Sequence, residues 1–264
     1  MDKNQSMQLI DSHCHLDFNV FDIDRKELLA DASNHNVSKI IVPAVARNNW
    51  QHVFEVSQQY EMIEAAYGLH PMFMKYHQHS DLLLLRGFLE NNKPIAVGEC
   101  GLDFFIKDAN KDAQVEFFKK QLKLADEFSL PVIVHARKSL DIVLREVRKF
   151  PNIKGVIHSF SGSLQQAEAC IKQGFMLGFG GPITYTRATK LRKLVTELPL
   201  ESLLLETDAP DQPDSNHFGQ RNVPANLLDI AKVVAELRQC DISEVAQVST
   251  KNAKRLFNLN PQNI

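Results

Sequence analysis

The stretch Lys39-Ile40-Ile41-Val42-Pro43 decides the fold class, because it is apolar on both sides of an extended chain. Side chains of a strand alternate between two faces, so a run without polar alternation is buried on both of them. The run Pro131-Val132-Ile133-Val134 has the same character. Parallel strands that are covered by helices on both faces have this pattern. The two runs therefore predict a parallel sheet with helices packed on each side.

Similar runs recur along the whole chain, about one for every 30 residues, which is the length of one strand–helix unit. Between them lie segments of helical periodicity, such as Asp112–Phe128. This alternation predicts an α/β protein with a (β/α)8 TIM barrel. An open doubly wound sheet is the competing fold, but it often has a glycine-rich loop after its first strand, which this chain lacks. The predicted strands are Gln8–Asp11, Lys39–Val45, Ile63–Gly68, Ile95–Gly98, Pro131–His135, Gly155–His158, Phe175–Phe179 and Leu203–Glu206.

Three helix ends have sequence signals. Asp112 is expected to cap the N-terminus of the helix that runs to residue 128. Ser163 is expected to cap a helix over Leu164–Lys172, with Gly174 just beyond its C-terminus. Ser243 is expected to cap the last helix.

The composition is that of an ordinary globular protein, with 264 residues, 44% hydrophobic and 23% charged. The chain shows no linker, internal repeat or low-complexity tract. We therefore predict one domain over 1–264, with a core from about residue 7 to about residue 258. The net charge of −2 argues against a protein that holds nucleic acid by Lys and Arg alone, although bound metal ions would supply positive charge.

The sequence also predicts a compartment. The segment Met1–Ser6 is polar and lacks the apolar stretch of a signal peptide. No apolar run approaches the roughly 20 residues of a membrane-spanning helix. Four widely spaced cysteines without a Cys-x-x-Cys pair make a disulfide framework unexpected. A cytoplasmic protein with no membrane partner is expected.

The first predicted strand is followed by His13-Cys14-His15. In an extended chain, His13 and His15 project to one side and Cys14 to the other. Two imidazoles on one side form half of a metal site. By the same parity, Asp11 shares the side of the two histidines and Glu206 shares that of Asp208. We interpret Asp11 and Glu206 as carboxylates that support ligands by accepting a histidine N–H.

Further polar residues lie where strands end, rather than being scattered along the chain. In a barrel these ends meet on the face where such enzymes have their sites. Four histidines and two carboxylates are enough for two divalent cations. Imidazole with carboxylate suits Zn²⁺, Mn²⁺ or Fe²⁺, whereas Mg²⁺ prefers oxygen ligands. The choice among Zn, Mn, Mg, Ni and Fe stays open. The histidines and carboxylates at these strand ends are His13, His15, His70, Glu99, Asp103, His135, His158, Glu206 and Asp208.

Together and in order, these motifs resemble the TatD family of metal-dependent deoxyribonucleases, within the amidohydrolase-like barrels. The resemblance spans nearly the whole chain. Related hydrolases often have a carbamylated lysine where this chain offers Glu99, which favours the TatD branch. The matching blocks are Asp11–Asp17, Gly68–Pro71, Gly98–Asp103, His135–Arg137, His158–Gly162, Glu206–Pro210 and Arg221–Asn226.

The resemblance implies that His13, His15 and Asp208 hold one metal. It also implies that His135 and His158 hold a second metal and that Glu99 bridges the two. Glu99 and Asp208 are then the catalytic residues, with Asp208 orienting the attacking water and accepting its proton. The tentative substrate contacts are His70, Arg137, Phe160 and Arg221.

The implied activity is hydrolysis of ester bonds by a metal-activated water, in a phosphodiesterase that degrades DNA from an end. Two alternatives stay open. One is a related hydrolase that acts on an amide, ester or lactone, and the other is a metalloprotein that binds nucleotides or a partner without turnover. The oligomeric state stays open, with a monomer allowed. The long segment Ala209–Val223 is expected to be a functional loop beside the metals.

Overall fold

The computed structural model describes residues 7–259, so the predicted polar N-terminus lies outside the described residues. Eight strands and nine α-helices alternate in that range. The strands are β1 Leu9–Asp11, β2 Val37–Pro43, β3 Ile63–Tyr67, β4 Ala96–Asp103, β5 Val132–Arg137, β6 Gly155–Ile157, β7 Phe175–Phe179 and β8 Leu203–Leu205. The helices are α1 Arg25–Asn34, α2 Arg47–Gln59, α3 His79–Asn92, α4 Lys111–Phe128, α5 Leu140–Val147, α6 Leu164–Lys172, α7 Thr189–Glu197, α8 Leu227–Arg238 and α9 Ile242–Phe257.

The strands form one sheet in chain order, from β1 to β8. The pairs that define its register are parallel. A parallel sheet in which every strand is followed by a helix is the predicted (β/α)8 class. The predicted strand positions agree with those observed. One difference is that β4 continues to Asp103 instead of ending at Gly98, which brings more polar residues onto a strand.

Gly101 makes this extension of β4 possible. Its φ is +132°, and a Cβ built there would lie 2.1 Å from the backbone oxygen of His135 on β5. Only glycine fits so close an approach with such a backbone. The extension sets the register between the two strands, in which Gly101 is opposite His135 and Asp103 is opposite Arg137.

The chain divides into two compact units. The terminal unit comprises Met1–Ile41 and Gly178–Ile264, and the central unit comprises Val42–Leu177. In the terminal unit, α9 is tied to the strands by side-chain amides and hydroxyls. Asn252 donates to the backbone oxygens of Leu200 and Leu203, each at 2.9 Å. The single domain over 1–264 stays a prediction.

In the central unit, two glutamines of α4 hold the ends of β3 and β4. Gln121 accepts from the Leu69 N–H at 2.7 Å and donates to the Leu69 carbonyl at 3.1 Å. Gln114 does the same for Asp103, at 2.9 and 3.1 Å. Each amide side chain thus satisfies a backbone donor and acceptor as a neighbouring strand would. The result is a fixed position for the polar segments that follow these strands.

Two of the predicted helix caps are wrong. Asn110, not Asp112, caps α4 by accepting from the Ala113 N–H at 3.0 Å. Asp241, not Ser243, caps α9, and Ser243 is instead the residue whose N–H donates to it, at 2.7 Å. In each pair, Asn110 with Asp112 and Asp241 with Ser243, both side chains are of a type that caps helices. Only the first residue of each pair lies where the chain passes from an extended conformation into the helix.

Other expectations from the sequence are confirmed. Ser163 caps α6, and Gly174 has the positive φ of +87° expected just beyond its end. The four cysteines form no disulfide, and three of them are buried. Among residues 7–259, no helix is both long and apolar enough to cross a membrane.

Candidate metal centres

The terminal unit contains a cluster of two imidazoles and one carboxylate, which we call the terminal cluster. The Nε2 atoms of His13 and His15 lie 3.3 Å apart. Oδ1 of Asp208 lies 3.6 Å from the first and 3.8 Å from the second. All three side chains are buried, and their ligand atoms lie within 4.8 Å of one another. The predicted convergence of His13 and His15 is therefore what the structure shows.

Backbone hydrogen bonds place this cluster. The Asp208 N–H donates to the His13 carbonyl at 2.9 Å, and the His15 N–H donates to the Ala209 carbonyl at 2.8 Å. The segments after β1 and β8 are thereby locked side by side. Asp208 has a φ of +55°, in the left-handed region that favours glycine. Such a backbone at a buried carboxylate often marks a functional position.

Asp11 lies beneath the terminal cluster and supports it through the backbone. Its Oδ1 accepts from the N–H of His13 at 3.2 Å and from the N–H of Thr207 at 2.9 Å. Its Oδ2 accepts from the Thr207 hydroxyl at 2.5 Å. Burial raises the pKa of Asp11 to about 8, although the bonds from Thr207 oppose the rise. The expected acceptance of a histidine ring N–H is thus replaced by bonds to the main chain.

Glu206 is the second buried carboxylate of this region, with 1% exposure. A Cβ at Gly178 would lie 2.1 Å from its Oε2, so the strand beside it must carry glycine at that position. Its predicted support of a histidine ligand stays a prediction. The absence of a side chain at Gly178 of β7 thus leaves the space that the Glu206 carboxylate occupies.

The central unit contains a second cluster around one carboxylate oxygen, which we call the central cluster. Oε1 of Glu99 lies 3.0 Å from Nε2 of His70, 3.1 Å from Nε2 of His158 and 3.3 Å from Nδ1 of His135. Glu99 is 1% exposed. The ends of β3, β4, β5 and β6 thus contribute to one group. Three predicted ligands, Glu99, His135 and His158, lie together here.

Asp103 fixes the tautomer of His135. Its Oδ2 lies 3.1 Å from Nε2 of His135, so that nitrogen carries the proton and Nδ1 keeps its lone pair toward Glu99. Burial disfavours the charged form of Asp103, but the bonds from His135 and from the Phe105 N–H hold its pKa below the usual range. A carboxylate that accepts from a ligand histidine is typical of metal centres. No role was predicted for Asp103 from the sequence, although it ends the motif Gly98–Asp103.

His70 has the opposite tautomer. Its Nδ1 accepts from the Met72 N–H at 3.1 Å, so Nε2 carries the proton and donates to Glu99. Burial lowers the pKa of His70, in spite of the neighbouring carboxylate, which keeps the ring neutral. In this arrangement His70 has no lone pair for a metal and orients Glu99 instead. Its predicted contact with substrate stays a prediction.

Both clusters fit a divalent cation. In the central cluster, Nδ1 of His135 and Oε1 of Glu99 are two acceptors that face each other at 3.3 Å. Such a pair repels unless a positive charge lies between the two atoms. Burial disfavours the charged form of His135, yet the bonds to Asp103 and Glu99 raise its pKa. The surroundings of His135 therefore favour a positive charge at this position. Imidazole and carboxylate together are the ligands of Zn²⁺, Mn²⁺, Fe²⁺ and Ni²⁺ rather than Ca²⁺.

The predicted substrate residues differ in their surroundings. Arg221 pairs with Asp24, and its guanidinium also donates to the Val20 carbonyl at 2.6 Å. Phe160 is 2% exposed. Arg137 is exposed, and its guanidinium carbon lies 3.9 Å above the Phe105 ring. Their contacts with substrate stay predictions, and Arg137 is the one whose charge faces solvent.

Two residues that shape the loop Ala209–Val223 were also missed. Asn222 donates to the carbonyls of Thr207 at 2.7 Å and Asp211 at 2.9 Å, which closes the loop onto the end of β8. Gln212 donates to Oδ2 of Asp208 and so directs the other oxygen toward the histidines. Asn222 belongs to the motif Arg221–Asn226, which is a signal that could have identified it. Nothing in the sequence marks Gln212 as a residue of the site.

Comparison with known proteins gives a consistent picture. Residues 10–258 match the family model described as TatD related DNase. The chain is 42% identical over 255 residues to the uncharacterized metal-dependent hydrolase YjjV of Escherichia coli K12, covering 96% of this chain and 98% of the relative. It is 35% identical over 254 residues to the uncharacterized metal-dependent hydrolase YabD of Bacillus subtilis, covering 96% of this chain and all of the relative, 100%.

Solved structures confirm the fold. The crystal structure of YjjV, described as a TatD homologue, is similar with a TM-score of 0.92 at 41% identity, over 96% of this chain and 99% of that one. A TatD family hydrolase from Entamoeba histolytica has a TM-score of 0.81 at 22% identity, over 95% of this chain and 98% of that one. The predicted (β/α)8 barrel is thereby confirmed.

Proposed function

The chain belongs to the TatD family of metal-dependent hydrolases, and from that premise we propose that it is a phosphodiesterase that degrades DNA from an end. One observation carries the proposal: each unit holds a buried cluster of imidazoles with a single carboxylate. A divalent cation on such a cluster leaves one net positive charge, +2 from the ion and −1 from the carboxylate. This charge favours an anionic substrate such as a phosphodiester over a neutral amide or lactone.

The residues that would hold the cations are His13, His15 and Asp208 in the terminal cluster, and, as the resemblance implies, Glu99, His135 and His158 in the central cluster. Bound divalent cations lower the pKa of a water toward 7 and neutralise charge on the attacked phosphoryl group. A site with two cations per chain is part of the proposal.

Asp208 is suited to orient the attacking water and accept its proton. The bond from Gln212 fixes one oxygen of the carboxylate, and the other oxygen faces the imidazoles. The backbone ladder to His13 holds the residue in place. In the central cluster, His70 donates to Glu99 and aims that carboxylate at the other imidazoles.

The test is turnover by the metal-loaded protein. Purified protein is incubated with end-labelled single-stranded DNA and Mn²⁺, Zn²⁺ or Mg²⁺, with a chelator control and a parallel panel of amides, esters and lactones. We expect metal-dependent cleavage, with products that shorten steadily from one end. Fragments of all lengths from the first time points would contradict action from an end. Turnover of the amide or lactone panel alone would establish the related hydrolase, and no turnover at all would leave a binding protein.

A matched pair of variants excludes a contaminating nuclease. Asp208→Asn removes the proposed proton acceptor without changing its size, and we expect kcat to fall about a hundredfold to ten-thousandfold. Asp211→Asn makes the same change at an exposed position three residues away and should leave kcat unchanged. Near-normal kcat in Asp208→Asn would refute the proposed proton role.

A further inference from the structure

An exposed aromatic ring lies beside two basic side chains at the carboxyl ends of β4 and β5. The Arg137 guanidinium carbon lies 3.9 Å from the centroid of the Phe105 ring, and Nζ of Lys138 lies 4.7 Å from it. Phe105 is 49% exposed. We call Phe105, Arg137 and Lys138 the Phe105 platform. It lies entirely within the central unit.

Apart from the charge of Arg137, which helps to lower the pKa of Asp103, the platform has no evident structural task. Both cations are exposed. Within the described range of 7–259, neither Arg137 nor Lys138 forms an ion pair with an acidic side chain. A large ring left half in water gives up much of the stabilisation that burial would provide. Exposed aromatic and arginine side chains together are typical of binding surfaces.

Backbone hydrogen bonds connect the platform residues to the central cluster. The Phe105 N–H donates to Oδ1 of Asp103 at 2.9 Å, and the other oxygen of that carboxylate accepts from His135. The Phe104 N–H donates to the Arg137 carbonyl at 2.9 Å. One buried carboxylate therefore positions a candidate metal ligand and the backbone from which the aromatic ring projects.

We propose that the Phe105 platform binds an unpaired nucleotide of the substrate strand, next to the central cluster. The Phe105 ring stacks on the base, and Arg137 and Lys138 contact the neighbouring phosphates. Stacking on an aromatic ring accepts any base, because every base has a π-face. In a duplex those faces are covered by neighbouring base pairs, so the platform selects single strands. This inference rests on the proposed function and adds a base-binding subsite to it.

Binding of a phosphorothioate oligothymidylate by the metal-loaded protein tests the inference, since that probe keeps the backbone charge. We expect Phe105→Ala to weaken binding about fivefold or more, and Phe105→Trp to retain it. The double variant Arg137→Gln/Lys138→Asn should reduce the slope of log affinity against log salt by about 1.4, since each phosphate contact of a single strand contributes about 0.7. Asparagine is chosen at position 138 because the backbone there has a φ of +52°.

The matched control is Lys154→Gln/Lys172→Gln, which removes the same charge from exposed positions before β6 and β7. We expect its affinity and salt slope to match those of the wild type. An unchanged affinity in Phe105→Ala, or an unchanged salt slope in the double variant, would overturn the proposal. Equal loss of duplex and single-strand binding in Phe105→Ala would overturn the single-strand assignment.

Turnover of bis(p-nitrophenyl) phosphate separates this inference from the proposed function. That substrate has a phosphodiester but no strand that could reach both the platform and the central cluster, so Phe105→Ala should raise KM for oligonucleotides about fivefold more than KM for this substrate. If the wild type hydrolyses no phosphodiester, the proposed function fails, and binding of the phosphorothioate strand still decides the platform. If hydrolysis is intact and KM for oligonucleotides is unchanged in the variants, the platform alone fails.

Discussion

The terminal and central clusters offer the same kinds of ligand atom but are held by different means. In the terminal cluster, main-chain hydrogen bonds between the segments after β1 and β8 fix His13 and Asp208, and Asp11 adds bonds to the main chain. In the central cluster, side-chain bonds fix the ligands, with Asp103 on His135 and His70 on Glu99. Main-chain support survives most substitutions, whereas side-chain support is lost with one residue.

This difference predicts that single substitutions damage the central cluster more. Its imidazoles converge on one carboxylate, and the tautomer of His135 depends on the side chain of Asp103. The terminal cluster keeps its imidazoles in place as long as the backbone ladder forms. Measurements of metal content and turnover in single variants can therefore show which cluster is more sensitive to substitution.

The largest effect is expected for Glu99→Gln. Three imidazoles lie around its Oε1, and the resemblance assigns it a bridge between two cations. We expect turnover to fall about a thousandfold or more. Metal content, measured by atomic emission on the folded variant, should fall by more than one ion per chain. Retention of two tightly bound ions would show that Glu99 does not bridge and that the two clusters are equally robust.

Asp103→Asn should weaken metal binding at the central cluster about tenfold to a hundredfold. The amide nitrogen would donate to Nε2 of His135, which moves the ring proton to Nδ1 and removes the lone pair that faces Glu99. Metal titration by calorimetry measures this loss. Asp108→Asn is the control, because it makes the same change at an exposed position of the loop that follows β4. Equal affinities in the two variants would refute the role of the tautomer.

The sequence predicted which candidate ligands come together better than it predicted the groups that hold them in place, and the reason is physical. His13 and His15 follow from the period of an extended chain, which is a local property. The bond between Asp103 and His135 depends on a register in which Asp103 is opposite Arg137, and it requires the extra length that Gly101 allows β4. The register between two strands cannot be predicted from the sequence of either strand alone.

The same limit explains Asp11, whose partner Thr207 is 196 residues away. Parity placed Asp11 on the correct side, but only the strand alignment decides that it meets main-chain N–H groups rather than an imidazole. The eight-strand alternation, by contrast, repeats along the chain and was predictable from composition and spacing. Hydrogen bonds between polar groups that are far apart in the chain therefore could not be predicted from the sequence.

His70→Phe is expected to have a smaller effect than the change at Asp103. It removes one hydrogen bond to a carboxylate, worth about 1.5 kcal/mol, so kcat should fall about tenfold with metal content unchanged. His79→Phe, at an exposed position of α3, is the matched control. A higher KM at normal kcat would instead support the predicted contact of His70 with substrate. Loss of metal would show that His70 is a ligand.

The smallest effect is expected for Glu146→Gln, which provides a baseline because Glu146 on α5 belongs to neither cluster. Burial opposes its ionisation, but Lys149 and Arg145 more than offset it and lower the pKa of Glu146. A lowered pKa stabilises the fold above the unfolded value of about 4.3, and this stabilisation is lost as the pH falls through the folded value.

Because Arg145 and Lys149 are themselves half exposed, the pair is worth about 1 kcal/mol or less at pH 7. We expect urea unfolding to show a small deficit in Glu146→Gln at neutral pH that disappears below about pH 4. Its turnover and metal content should equal those of the wild type. A loss of metal in this variant would mean that any destabilisation of the central unit empties its cluster, and the effects at Asp103 and His70 would then reflect stability rather than tautomers.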